Sequence, residues 1–273
     1  DGYTGGGDEV PVADRPEIDR WVLSRLNSLI QEVTEAYEAL EPTKVARAIQ
    51  SFAIDDLSNW HVRQSRRRFW KGEMSDDKRS AYQTLHTCLK SLSVMISPIA
   101  PFYADRLYRD LTGADESVHL ASFPEADAAC IDTELEARMA LAQQISSQVL
   151  SLRKRERLRV RQPLRRVLVP VLNEQMASRI ATMANLIKGE VNVKAIEVVR
   201  DGENTEVSIV KRVKPDFKAL GPKFGKRMKA VAAAVNALDA EGIAELEREG
   251  RVAVNPDDGQ GEALVEVSEV AIL

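Results

Sequence analysis

RPEIDRWVLSRLNSLIQEVTEAYEALEPT, residues 15–43, decides the fold class. Ile18, Trp21, Val22, Leu26, Leu29, Ile30, Val33, Tyr37 and Leu40 recur at steps of three and four. That is one apolar stripe on a helix of about 25 residues. Pro16 suits a first helical turn, with Asp14 near enough to cap it, and EPT breaks the pattern at the far end. A helix with one apolar face must bury it against partners, and the next 120 residues supply them.

A second pattern starts at Thr43 and runs through Val45, Ile49, Phe52, Ala53, Leu57 and Trp60 towards Trp70, ending in KGEMSDD. Ser75, Asp76 and Asp77 open a third helix carrying Leu85, Leu89 and Leu92. In SPIAPF, Pro98 stops one helix and Pro101 begins a short fourth, closed by Gly113. Thr133 and Glu136 have capping-box spacing before a long fifth helix with the stripe Leu135, Met139, Ala142, Ile145, Val149 and Leu152. Long amphipathic helices joined by short breaks predict an antiparallel helical bundle over residues 14–162, after a lead loop at 1–13.

The character changes near Gln162-Pro163. VLVPV (167–171), VKAIEVV (193–199) and VSIVKRV (207–213) are β-branched runs, and EALVEVSEV near the end alternates apolar with polar. Helical stretches lie between them, around 174–188 and 223–238. The predicted class is mainly α: the bundle, then a smaller α+β domain over 163–273.

Composition narrows the function classes. At 273 residues the chain holds one large domain or two ordinary ones, and 44% apolar with 29% charged residues is a soluble globular balance. No apolar run approaches the ~20 residues that span a bilayer, and DGYTGGGDEV is no secretory signal. Two cysteines, Cys88 and Cys130, exclude a disulfide framework or a four-cysteine zinc site, and a reducing cytoplasm is the natural compartment. A net charge of -4 argues against a protein that coats nucleic acid indiscriminately, while leaving room for a local basic site.

Such a site is written at 59–70. NWHVRQSRRRFW puts four arginines and two tryptophans into twelve residues. On one continuous helix Trp60, Arg63, Arg67 and Trp70 share a face, Asn59 and Arg66 flank it, and Arg68 and Lys71 spread charge around the helix end. Guanidinium forks suit phosphate oxygens, and aromatic planes stack on splayed bases. Equally, the tryptophans can be core residues with arginines snorkelling over them. A second cluster, RKRERLRVRQPLRR (153–166), sets one acid against eight basic groups. In extended form Arg157, Arg159 and Arg161 would point to one side, with Lys154 and Gln162 beside them. Two basic patches in an acidic chain read as one footprint for RNA. A nuclear address, an anionic membrane surface or a calmodulin-like partner remain alternatives for the second run.

Other signals carry less. GPKFGKR (221–227) has three residues between its glycines where a phosphate loop has four, and no Ser/Thr after Lys226. The stretch reads better as a helix start with basic residues, of which Lys223, Lys226, Arg227 and Lys229 could assist RNA binding. TGGGD lacks the lysine. His61, His86 and His119 are too scattered for a metal or nucleophile set, and Asp55-Asp56 sits best as an orienter of guanidinium groups.

Three segments, RPEIDRWVLSR (15–25), DLSNWHVRQSRRRFWKG (56–72) and SPIAPFYADRLYRDL (97–111), resemble the anticodon-binding region of class I isoleucyl-tRNA synthetases. LRVRQPLRRVLVPV (158–171) and VKPDFKALGPKFGKRM (213–228) resemble later stretches of the same family. The arginine-tryptophan motif is shared in outline with valyl and leucyl relatives. The resemblance implies a C-terminal portion of a longer cytoplasmic ligase that uses ATP and Mg²⁺ to attach isoleucine to tRNA. It implies partners in the catalytic and editing domains of the same parent, and isoleucine-specific tRNA, not DNA or a membrane. Neither the HIGH nor the KMSKS signature occurs here, so the resemblance implies no catalytic residue and no cofactor in this portion. It also implies the branch with a zinc-free C-terminal domain, hence no metal. Carried over, Asn59, Arg63, Arg66, Arg67 and Trp70 would face the anticodon arm, and Arg157, Arg159, Arg161 and Gln162 would meet backbone or loop nucleotides. A helical bundle that merely braces a larger enzyme or docks a protein is the rival from another class.

Overall fold

The computed structural model describes residues 8–171, 173–200 and 212–272. Two compact units divide the chain: residues 1–169 with 173–197, and residues 170–172 with 198–273.

The first unit is the bundle. Helix α1 (Glu17–Glu38) starts one residue after Pro16, whose carbonyl accepts the amides of Asp19 and Arg20, and Asp14 sits in a 3-10 turn (Val12–Asp14) without capping it. Its stripe is core: Trp21, Val22, Leu26, Leu29, Ile30 and Val33 are all buried. Leu40 leaves the stripe. It lies past the helix end with φ 57° and 86% exposure, where the chain turns into α2 (Pro42–Ser51).

The second pattern is not one helix. After α2 comes a π-helical stretch (Phe52–Val62), then a turn at Ser65, then the short α3 (Arg66–Trp70). Hydrogen bonds from i to i+5 shift the rotation of everything downstream. Helix α4 (Asp76–Ile96) is capped by Ser75, whose hydroxyl accepts from the Lys78 amide. Asp19 meets Ser80 and Tyr37 meets Met95, so α1 and α4 run in the same direction and the basic segment returns between them. Helix α5 (Pro101–Thr112) packs on α4 and ends at Gly113, whose φ of 66° only glycine adopts without strain. Helix α6 (Thr133–Arg155) is capped by Asp132, not by a Thr133–Glu136 box. Glu136 instead accepts from Ser24 and Ser28 and pairs with Arg25, tying α6 to α1.

Strand β1 (Leu164–Pro170), helix α7 (Glu174–Val191) and strand β2 (Val193–Val199) follow. β1 pairs with β2, the Leu164 amide donating to Asn192 at one end and the Val171 amide to Val199 at the other. That order of partners makes the pair parallel, with α7 as the crossover. Helix α7 packs along α6, so most of this β-α-β segment belongs to the same compact unit as the bundle. A boundary at 162/163 therefore does not match the packing.

The second unit holds β3 (Val213–Pro215), α8 (Phe217–Phe224), α9 (Met228–Asn236), α10 (Ala240–Glu249), β4 (Arg251–Val254), β5 (Ala263–Glu266) and β6 (Val270–Ile272). β3 pairs antiparallel with β6, and β4 with β5. Alternate residues Val252, Val254, Ala263 and Val265 face a core with Leu220, Val231, Val235, Ile243 and Leu246. Of the predicted strand at 207–213, residues 207–211 lie outside the described residues. The alternating run near the end is split by a 3-10 turn (Val267–Glu269).

Candidate nucleic-acid interface

The basic segment sorts its side chains into anchors and free groups. Trp60 is only 6% exposed, and its Nε1 donates to Met139 Sδ at 3.1 Å. It belongs to the core, which corrects its reading as a stacking group: the π-helical stretch puts it out of phase with Trp70. Trp70 is 77% exposed. Arg68 is also withdrawn from the contact set. Its Nη1 and Nη2 donate to the two oxygens of Asp19 at 2.9 and 2.6 Å, and its Nε lies 2.9 Å from Asp77. Arg63 pairs with Glu190 at 2.7 Å, and the Gln64 amide donates to the other Glu190 oxygen at 2.7 Å. Asn59, Arg66, Arg67 and Lys71 are exposed. The three cations among these have no carboxylate partner among the described residues.

The second cluster is a turn, not an extended stretch. Helix α6 closes with Arg157 at φ 56°, the Leu158 amide donating to the Arg153 carbonyl and the Arg157 amide to that of Lys154. This is a Schellman-type end. A further turn brings the Gln162 amide to the Arg159 carbonyl at 3.0 Å. Arg157, Arg159 and Arg161 therefore do not line one side of a strand, although all three, with Lys154, Gln162 and Arg165, are exposed. The organiser is Arg153, 2% exposed, which donates to the carbonyls of Arg159, Gln162 and Asn192 at 3.1, 3.1 and 2.9 Å.

The two segments meet at the end of α7. Glu190 holds Arg63 and Gln64; two residues on, Asn192 accepts from Arg153 and donates its amide to the Val160 carbonyl at 2.8 Å. Beside this junction is a cleft of about 610 Å³ lined by Asn59, the Trp60 edge, Arg63, Gln143, Gln144, Ser146, Ser147 and Glu190. Ser146 is 1% exposed and its hydroxyl has no partner. Asp56, at the cleft wall, is held by Arg25 and Gln143; burial pushes its carboxyl up more than these partners lower it. A larger hollow, about 680 Å³, lies between α1 and α2. It mixes Glu32 and Glu41 with Lys44 and Arg47, so volume alone does not select it.

In the second unit the GPKFGKR corner does not fit a phosphate. Strand β3 precedes α8, but Gly221 lies within the helix and Gly225 at its C-terminal end, Lys223 is held by Glu269 at 2.8 Å and Arg227 by Asp258 at 2.7 Å. Lys226 and Lys229 stay exposed. Among the described residues no group of three or more His, Cys, Asp or Glu is placed to hold a metal, and no helix is long and apolar enough to cross a membrane.

Sequence reasoning missed Asp19, Arg153, Glu190 and Asn192. Two carried a signal. Asp19 and Arg153 continue the apolar stripes of α1 and α6 in phase, and a charge in a stripe must be buried and paired.

The fold is a helical bundle whose two basic segments keep exposed arginines without a carboxylate partner among the described residues. The family model described as the anticodon-binding domain of tRNA ligase matches residues 19–168, more than half of the chain, and the chain belongs to that family. Over 250 residues it is 54% identical to an isoleucine–tRNA ligase of Porphyromonas gingivalis, covering 92% of this chain and 22% of the relative. The ligase of the same name from Bacteroides thetaiotaomicron is 52% identical over 277 residues, with 100% and 23% covered. That from Thermus thermophilus is 38% identical over 268 residues, with 96% and 25% covered. The chain thus spans about a quarter of the length of these relatives. The isoleucyl resemblance read from the sequence is borne out, ahead of its valyl and leucyl variants.

Proposed function

We propose that the chain grips the anticodon stem-loop of isoleucine tRNA for an isoleucine–tRNA ligase. The remainder of that ligase would supply the catalytic and editing domains and use ATP and Mg²⁺ in the cytoplasm. The observation that carries this reading is the concentration, in two basic segments, of exposed cations without a carboxylate partner among the described residues: Arg66, Arg67 and Lys71 from one segment, Lys154, Arg157, Arg159, Arg161 and Arg165 from the other. They lie in a chain of net charge -4, where acids are plentiful enough to pair them. Left without carboxylates in two basic segments, they suit phosphates, and exposed Trp70 suits a splayed base. Asn59 and Gln144 at the cleft offer amides to a base edge, and a misread base costs about 1–3 kcal/mol when it leaves such a group unpaired.

Filter binding of the 273-residue chain to isoleucine, valine and leucine tRNA transcripts tests this at several salt concentrations. The expected result is tightest binding of isoleucine tRNA, with a log-log salt slope of several released counterions. Binding without a slope, or no binding, supports the bracing module instead. Preference for valine or leucine tRNA corrects the substrate.

A further inference from the structure

Helix α3 presents Arg66, Arg67 and Trp70, yet it is five residues long. A helix that short does not hold its shape in water by its own hydrogen bonds. Successive residues turn by about 100°, so Arg66, Arg67 and Trp70 occupy one arc and Arg68 and Phe69 the opposite one. Whatever grips those two sets the direction of the other three. Phe69 is 8% exposed, its ring edge-on to Tyr82 at 5.1 Å. Arg68 reaches further. Besides its two bonds to Asp19, it donates to Ser65 Oγ, the Asp77 carbonyl and Ser80 Oγ.

Asp19 has no solvent exposure. Its Oδ1 also shares a hydrogen bond with His61 Nε2 at 2.8 Å, and its Oδ2 accepts from Ser80 Oγ at 3.1 Å. One carboxylate on α1 is therefore bonded to a residue before the Ser65 turn, to one after it, and to α4. Phe69 packs, and its carbonyl accepts from the Tyr82 hydroxyl at 3.3 Å, but its side chain makes no directional bond; the two-pronged Arg68–Asp19 pair is the side-chain bond that sets the rotation about the turn.

We infer that Asp19, too deep to touch RNA, is a positioning residue for the tRNA contact surface: by clamping His61 and Arg68 across the Ser65 turn it aims Arg66, Arg67 and Trp70 outward. This rests on the reading of those three side chains as RNA contacts. It differs from a purely structural role because loosening the clamp disperses the exposed groups without unfolding the bundle beneath.

The test is Asp19→Asn, alone and combined with Arg67→Ala, in the full 273-residue chain with isoleucine tRNA. Asp19→Asn should weaken binding about tenfold, lower the salt slope, and raise amide exchange over 66–70 while α6 stays protected. On the Arg67→Ala background it should cost less than about threefold, because a dispersed α3 has already lost what Arg67 provides. Val33→Ala, buried elsewhere on α1, should lower stability and leave affinity unchanged. Folded Asp19→Asn that binds like wild type, or costs that add fully with Arg67→Ala, overturns the inference. If Asp19→Asn does not fold, Arg68→Lys keeps the charge, loses the two-pronged bond, and is read by the same criteria. If Arg67→Ala and Trp70→Ala both bind like wild type, the contact surface itself is misassigned, whatever Asp19 does.

Discussion

Two tryptophans ten residues apart should behave as opposites. Trp60 buries all but 6% of its surface. A tryptophan contributes about 200 Å², and at ~25 cal/mol/Å² that burial is worth about 5 kcal/mol as an upper bound. Loss of the ring leaves a cavity over Met139, so Trp60→Ala should destabilise by about 3–5 kcal/mol. Trp70 is 77% exposed, and the same arithmetic leaves at most about 1 kcal/mol. Its contribution belongs to the complex: base–aromatic stacking is worth about 1–3 kcal/mol, or about 5- to 150-fold in affinity. Urea unfolding followed by far-UV dichroism reads the first effect, and filter binding of isoleucine tRNA to the folded variant reads the second. Equal destabilisation by both substitutions would refute the phase shift at the π-helical stretch. Trp70→Ala with unchanged stability and unchanged affinity would refute the stacking role.

Arg67→Glu should leave the unfolding midpoint nearly unchanged, weaken tRNA binding, and reduce the salt slope by about one counterion, measured by binding across a salt series. Acid stability reads Asp19. Burial raises its carboxyl, but bonds from Arg68 and His61 outweigh burial and hold it at about 2 against an ordinary 3.8. A pKa lower in the folded state adds stability above the unfolded value and loses it as pH falls towards the folded one. Wild type should therefore lose about 2 kcal/mol between about pH 4 and pH 2 that Asp19→Asn does not lose, measured by urea unfolding at each pH. Arg153→Met removes the donor to three carbonyls and should cost about 2 kcal/mol, with faster amide exchange confined to 156–162 and the start of β1.

The bundle was legible because burial of one face is a local matter of spacing. The stripe of α1 needs no knowledge of its partners, and Asp19 and Ser24 aside its buried residues are apolar. The π-helical stretch was written too, in the five-residue step from Phe52 to Leu57, but Ala53 fills the four-residue step and disguises it. The α6 cap went to Asp132 because its carboxylate reaches the Leu135 amide, leaving Glu136 for the serines of α1, a partner 112 residues away. Distance along the chain also hid the division of the arginines. Arg68 is claimed by Asp19, 49 residues upstream, and the Arg63–Gln64 pair by Glu190, 126 residues from Gln64. Composition shows that basic groups cluster; which of them are spent on carboxylates is a property of the packing.

That division changes what the positive charge can do. An arginine paired in the interior contributes almost nothing to the field that an RNA meets, because its carboxylate cancels it at close range. Arg68 and Asp19 are such a pair, and Arg153 spends its donors on backbone carbonyls. Within the two basic segments, the exposed cations without a carboxylate partner among the described residues are those on and just after α3 and those on and around the turn after α6. Each anchor sits beside the groups it leaves free: Arg68 between Arg67 and Trp70, Arg153 next to Lys154 and under the turn that carries Arg157, Arg159 and Arg161. A flexible polybasic segment would bind any polyanion with little regard to shape. Alternating buried anchors with exposed contacts fixes the direction of the exposed ones, and fixed direction is what lets a basic surface distinguish the fold of one RNA loop from charge alone.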